Sequence, residues 1–339
     1  MTIGPKESIR NLFQFEGTPA PIFVPLIGTF AAKLWQTPTR NLLSDATKLT
    51  NAIQKTCRLF QFDVVTTPFD LSLESEALGC KTHAPDNYGP LTIVSNPLGE
   101  GISIGQLEDM VLEQQGRVPV FVEVAGRLVS LLSKDRPIAA VTTGPITLAN
   151  NLVGPQIETM LKGGSKEPLD VIEFAGRVTL KMVKKYCDLK PDIIIIAERQ
   201  LMDMSRENYE KYKESLTTIW NLVRFYQIHP LLFFFSGKYH DDFRHVFELG
   251  ADGAALGWIS DPGPVKQMAS EFKQCYASCI PSRIMDGKVE QLRQFATIWQ
   301  EYLKGGSRDG FFITTDGEIP STTPPNNVKE LLSLIKSKM

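Results

Sequence analysis

Two periods of apolar and polar residues alternate along the chain. Short runs rich in β-branched and aromatic residues recur, and between them apolar residues return every three or four positions. The short runs are Ile22–Ile27, Phe62–Pro68, Ile138–Pro145, Asp192–Glu198, Leu231–Gly237, Gly253–Trp258, Ser282–Gly287 and Gly310–Thr315. Each predicts a strand, with Ser282–Gly287 (SRIMDG) the weakest in pattern. The helical period is clearest over 206–226, where Tyr209, Tyr212, Leu216, Ile219, Trp220 and Val223 fall on one face. Further helices are predicted over 169–187 and 288–303, and Val328–Ser337 closes the chain as a helix.

Eight strands alternating with helices predict a parallel sheet. The run IIII at 193–196 has no polar face. Such a strand must be buried on both sides, as in a parallel barrel. The predicted fold is therefore α/β, a (β/α)8 TIM barrel. A doubly wound open sheet would carry a glycine-rich phosphate turn after a strand, and none is present. The long connection 80–137 reads as an insertion at the barrel mouth, with a hairpin over Tyr88–Pro97 and a helix over Gln106–Gln115. With no repeat or linker, the expectation is one domain: residues 1–18 an N-terminal extension and 19–339 the barrel.

Composition narrows the function classes. The 339 residues are 42% hydrophobic, enough for a full core, and the net charge is −2. That balance predicts neither a nucleic-acid nor an anionic-membrane partner. No apolar run approaches the ~20 residues of a membrane span, and Met1–Glu16 lacks the apolar stretch of a signal peptide. The expected setting is cytoplasmic. The five cysteines, Cys57, Cys80, Cys187, Cys275 and Cys279, suit reduced thiols better than a disulfide framework. Cys275 and Cys279 are read as sharing a helix face. They lack two further ligands for a structural zinc.

In a barrel of this kind the chemistry sits at the C-terminal ends of the strands. There the sequence places Thr29 after the first strand, Asp70, Glu74 and Glu76 after the second, and Thr143 and Asn151 after the third. Glu198 and Arg199 end the fourth strand. Ser236, Lys238 and His240 end the fifth, Trp258 the sixth, Asp286 the seventh, and Asp316 and Glu318 the eighth. Acids crowded around one cavity raise each other's pKa, which can poise one near neutrality for proton transfer. Asp70, Glu198 and Asp316 are the candidate catalytic residues. Thr29, Glu74, Asn151, Ser236, His240, Trp258 and Glu318 are candidate substrate contacts, with Phe233, Phe235 or Trp258 lining the cavity. No metal site is assigned. No G-x-S-x-G supports serine chemistry, and Cys80 has no activating base beside it.

Four stretches resemble one family. PFDLSLESEALGC (68–80) resembles the run after the second strand in corrinoid-dependent methyltransferases of the uroporphyrinogen decarboxylase superfamily. TTGPITLANNLVG (142–154) is similar to that family's T-G-P-F-T-L-A segment, FELGADGAALGW (247–258) to its Gly-Ala-Asp strand, and DGFFITTDGEIPSTTPPNNV (309–328) to its last strand and Pro-rich turn. The resemblance implies the barrel, and it implies two chemistries whose groups are missing. Where the decarboxylase carries carboxylate-gripping arginines, this chain has Leu26 and Phe30. Asn151 stands for the family's active-site tyrosine and Asp316 for its late histidine, while Asp70 is the counterpart of its catalytic aspartate. Where the methyltransferase branch holds zinc through H-x-C and a late Cys, this chain has Phe234, Ser236 and Gly317.

Three readings remain open from sequence. The first is a metal-free lyase or decarboxylase acting on a small organic substrate other than uroporphyrinogen, with no cofactor. The second is a divergent methyltransferase that meets cobalamin on a partner protein. The third is a non-catalytic ligand-binding barrel. A homodimer is expected from the family resemblance.

Overall fold

The computed structural model describes residues 3–18, 20–163, 166–237, 243–258, 263–304 and 309–336. Its strands are β1 (Ile22–Phe23), β2 (Val65–Thr66), β3 (Thr82–His83), β4 (Thr92–Ile93), β5 (Ile138–Thr143), β6 (Ile193–Leu201), β7 (His229–Gly237), β8 (Gly253–Leu256), β9 (Cys275–Ile280) and β10 (Phe311–Thr315). Eight of them form one sheet in the order β1-β10-β9-β8-β7-β6-β5-β2. Every neighbouring pair in that sheet is parallel. The sheet curls until its edges meet, giving a TIM-barrel-like fold. No ladder joins β1 to β2. Instead the Phe69 N–H donates to the Ile27 carbonyl at 2.9 Å, and the Thr66 hydroxyl donates to the Pro25 carbonyl at 2.8 Å.

Strand β6 shows why the sheet needs two apolar layers. Ile193, Ile195 and Ala197 point into the curl. Ile194 and Ile196 point outward to the helices. Burying each isoleucine contributes roughly 1.5–3 kcal/mol. Outside, the helix Arg206–Phe225 starts at Ser205, whose hydroxyl accepts the Asn208 N–H. Its buried face is Tyr212, Leu216, Ile219, Trp220 and Val223, the spacing read from sequence.

The N-terminal helix Pro5–Phe13 plugs the end of the curl opposite the strands' C-termini. Its Ile9 and Leu12 join the interior cluster with Ile22, Ile193 and Leu231. Lys6 pairs with Asp192 at 2.6 Å, and the Phe13 ring stacks on His229 with centroids 3.8 Å apart. No described helix is long and apolar enough to cross a membrane.

The structure corrects four sequence expectations. The seventh barrel strand is β9, not Ser282–Gly287, and Ser282–Met285 is a short helix capped by Asp286. Cys275–Ile280 reads CYASCI, and the helix-like spacing of its cysteines concealed a strand. Cys275 and Cys279 therefore share the inner face of a strand, where positions four apart also coincide. Third, the hairpin in the insertion begins earlier, with Thr82–His83 pairing Thr92–Ile93. The predicted helix over Gln106–Gln115 is two short pieces, Ile104–Glu108 and a single tight turn at Leu112–Gln114.

Candidate active site

A cavity of about 750 Å³ opens at the C-terminal ends of the strands. Phe69 and Phe235, packed edge to face at 5.4 Å, supply an apolar part of its wall. Asp70, Asp316 and Glu318 line it, as do Thr29 and Asn151.

Glu318 follows β10. Its Oε2 accepts the Thr29 N–H at 2.6 Å. Burial, helped by the charge of nearby Asp70, pushes its pKa up to about 8, although the bond from Thr29 pulls the other way. Space for this carboxylate exists because residue 28 is glycine. A Cβ there would lie 2.6 Å from Glu318 Oε2 and 2.6 Å from the Phe69 carbonyl oxygen.

Asp70 follows β2 and stays tied down. Its Oδ1 accepts from the Ser72 N–H at 2.8 Å and the Ser72 hydroxyl at 2.6 Å. Its Oδ2 meets Arg117 Nη1 at 2.5 Å. Arg117 is buried, donates from Nε to Glu76 at 2.6 Å, and the two acids hold its pKa above the usual arginine value despite desolvation. Sequence reasoning missed Arg117. The available signal was a cation at the N-cap of the apolar helix Val118–Leu132. The helix dipole disfavours a cation there, so an acid partner beside it is favoured.

Asp316 is fixed by Ser282, whose N–H donates at 2.9 Å and whose hydroxyl donates at 2.5 Å. Asn151 is buried, and its amide donates to the Leu71 carbonyl and to the Ser75 hydroxyl, both at 2.9 Å.

Other sequence candidates lie away from the cavity lining. Glu198 is fully buried and turned onto the helix Pro145–Val153. It accepts the Ile146 N–H at 3.0 Å, the Thr147 N–H at 2.7 Å and the Tyr212 hydroxyl at 3.1 Å. Burial pushes its pKa up to about 7, against these bonds. The acid thus serves a helix N-terminus. Glu74 is buried too, accepting the hydroxyls of Thr142 at 2.6 Å and Thr143 at 2.5 Å, with its pKa raised by burial. Ser236 donates to the Arg199 carbonyl at 3.0 Å. Trp258 packs on Phe295 with centroids 4.6 Å apart. Phe233 is enclosed in the interior cluster, so Phe235 alone of the three predicted aromatics reaches the cavity. His240 and Lys238 lie outside the described residues.

The residues do not suit zinc. Phe234 faces the outer helices and Phe235 faces inward, and neither offers a donor atom. Gly317 has no side chain, and Ser236 is spent on a backbone carbonyl. Among the described residues no three His, Cys, Asp or Glu side chains are grouped to hold a metal ion. All five cysteines are buried and unpaired. Burial holds the thiols of Cys57, Cys80 and Cys187 up at about 12.

A family profile described as Uroporphyrinogen decarboxylase (URO-D) matches residues 14–338. The chain belongs to this family. The motif resemblance pointed to the same superfamily. Within it, the chain is 25% identical to "Methylcobamide:CoM methyltransferase MtbA" of Methanosarcina acetivorans over 173 residues, half of each chain. It is 23% identical to "Methylcobamide:CoM methyltransferase MtaA" of Methanosarcina barkeri over 159 residues, 45% of this chain and 46% of the relative. The match thus spans about half the length of these relatives. Among solved structures, a "methyltransferase from Methanosarcina mazei" superposes with a TM-score of 0.80 at 18% identity, over 98% of each chain. A B12-independent methionine synthase from Shewanella sp. W3-18-1 superposes with a TM-score of 0.51 at 12% identity, over 85% of this chain and 86% of that one. At these identities the structural likeness speaks for the fold.

Proposed function

We propose that this member of the URO-D family is a metal-free lyase of the decarboxylase type, acting on an organic acid other than uroporphyrinogen. The observation that carries the proposal is the pair Asp70 and Glu318 in one cavity. Asp70 is held by Arg117, while Glu318 keeps its proton up to about pH 8. A carboxyl group kept protonated beside a second carboxyl group held by an arginine is a usual arrangement in proton-transfer sites. In the proposed step the bond to the substrate carboxylate breaks and carbon dioxide leaves. The remaining electron pair, delocalised over the substrate's own unsaturated system, takes the Glu318 proton. Glu318 then recovers a proton from water. Asp70 keeps the neighbouring charge that favours protonated Glu318, and Asp316 lines the wall.

A uroporphyrinogen-like substrate carries many carboxylates and would call for several cations. Leu26 and Phe30 are buried apolar residues instead. The test is release of carbon dioxide from a panel of unsaturated and β-keto acids. Glu318→Gln should lower kcat by about 10²–10⁴-fold, the usual loss for a general acid. Unchanged turnover in that variant would end the proposal.

A second reading is favoured by the relatives named as methyltransferases. In it the cavity would receive a methyl group from a corrinoid carried by a partner protein. Methylcobalamin incubated with the protein and candidate acceptors would then lose its methyl group, seen as a change in the corrinoid spectrum.

A further inference from the structure

The walls of the cavity differ in charge. Asp70, Asp316 and Glu318 stand on the side of β2 and β10. Arg199 stands on β6, which in the sheet order lies four strands from β10 in an eight-strand ring, on the opposite wall. Its guanidinium makes no hydrogen bond or ion pair with any described residue. Its backbone alone is engaged, the N–H donating to the Thr147 hydroxyl at 2.8 Å. Partial burial lowers the pKa of the guanidinium, and no acid among the described residues offsets this. Asn150 and Gln200 also line the cavity, and their side-chain amides have no partner among the described residues. Glu158, which also lines the cavity, is paired with Lys162 at 3.2 Å.

We infer that Arg199, in a cavity that Asn150 and Gln200 also line, is an anion subsite that holds the carboxylate of an organic acid whose flat apolar body lies against Phe69 and Phe235. Three features support it. A partly desolvated guanidinium with no partner among the described residues favours a planar, bidentate acceptor. The amides of Asn150 and Gln200 add neutral donors to the same cavity lining. The edge-to-face pair Phe69–Phe235 gives an apolar surface suited to an unsaturated ring or chain. A substrate seated this way presents its far end to Glu318. The inference deepens the proposed function and rests on it only for what happens at that far end.

The test compares 3-phenylpropanoate with its uncharged analogue 3-phenylpropanamide by isothermal titration calorimetry near neutral pH. Wild type should bind the acid at least about tenfold more tightly than the amide, the size of one charge-assisted pair. Arg199→Ala should remove that preference and leave amide binding unchanged, and Arg199→Lys should restore part of it. Glu318→Gln should keep the preference, since Glu318 is uncharged at this pH, so loss of turnover there leaves the subsite standing. Arg199 is exposed to the cavity, and an unchanged thermal midpoint shows that its variants fold. Equal binding of acid and amide by wild type, no binding of the acid, or a preference that survives Arg199→Ala overturns the inference.

Discussion

Arg117 and Asp70 form an ion pair of 2.5 Å in which the two side chains are only 6% and 5% exposed. The pair ties the insertion after β4 to the cavity wall. It also keeps a fixed negative charge facing Glu318, one of the causes of that residue's raised pKa.

Removing one partner of a buried pair leaves the other charge uncompensated. Arg117→Ala should therefore destabilise the fold by ~3–5 kcal/mol. Urea denaturation measures this directly. The double variant Arg117→Met with Asp70→Asn should lose much less, because it leaves one fewer stranded charge. Equal losses in the two would mean that the pair's charge is not what holds the insertion.

Gly144 tests a close approach that needs no unusual backbone. Its φ is −77°, so alanine fits the conformation, yet a Cβ would lie 2.2 Å from Glu198 Cδ. Gly144→Ala should cost ~1–3 kcal/mol by overpacking. Glu198→Gln should cost ~1–3 kcal/mol for a different reason, since an amide nitrogen replaces an acceptor facing buried N–H groups. Because both changes act on one contact, their costs should not add in a double-mutant cycle.

Stability should fall as pH rises from mildly acidic to mildly alkaline. Burial pushes Glu198 up to about 7, and burial with the charge of Asp70 pushes Glu318 up to about 8. In the unfolded chain both ionise at ordinary glutamate values, about 4.3. Between those values and the raised ones the native state binds more protons than the unfolded state, so the slope is negative. Chemical denaturation across this range should show the decline, levelling off above about pH 8. Glu318→Gln should make it shallower. A rise in stability over the same window would contradict the buried, protonated state of both acids.

The N-terminal helix behaves as part of the interior. Leu12→Ala should destabilise by ~2–5 kcal/mol, as expected for a buried leucine. A change near zero in thermal unfolding would show that the plug is separable.

Periodicity made most of the fold legible. The isoleucine run of β6 and the amphipathic face of Arg206–Phe225 are dictated by burial on two sides or one, which a sequence displays. β9 was hidden because its cysteines and alanine carry weak strand preference and its apolar spacing also fits a helix. The site was legible in part. Position after a strand identifies Asp70, Asp316 and Glu318 as mouth residues. It does not show where a carboxylate turns, and Glu198 ends an apolar strand as Glu318 nearly does. What separates them is a neighbouring helix N-terminus beside Glu198 and a glycine that opens space beside Glu318. Arg117 comes from the far side of the insertion, and no local pattern pairs it with Asp70. Arg199 stood in plain view, but that no described side chain pairs with it is a property of the folded cavity.

The central claim is that Glu318 holds a proton at neutral pH inside a cavity that also holds Asp70 paired with Arg117. Infrared difference spectra between wild type and Glu318→Gln, recorded as pH is raised, measure this directly. The account predicts a protonated carboxyl band in wild type that titrates away near pH 8 and is missing from the variant. A difference spectrum showing Glu318 already ionised at neutral pH would contradict it.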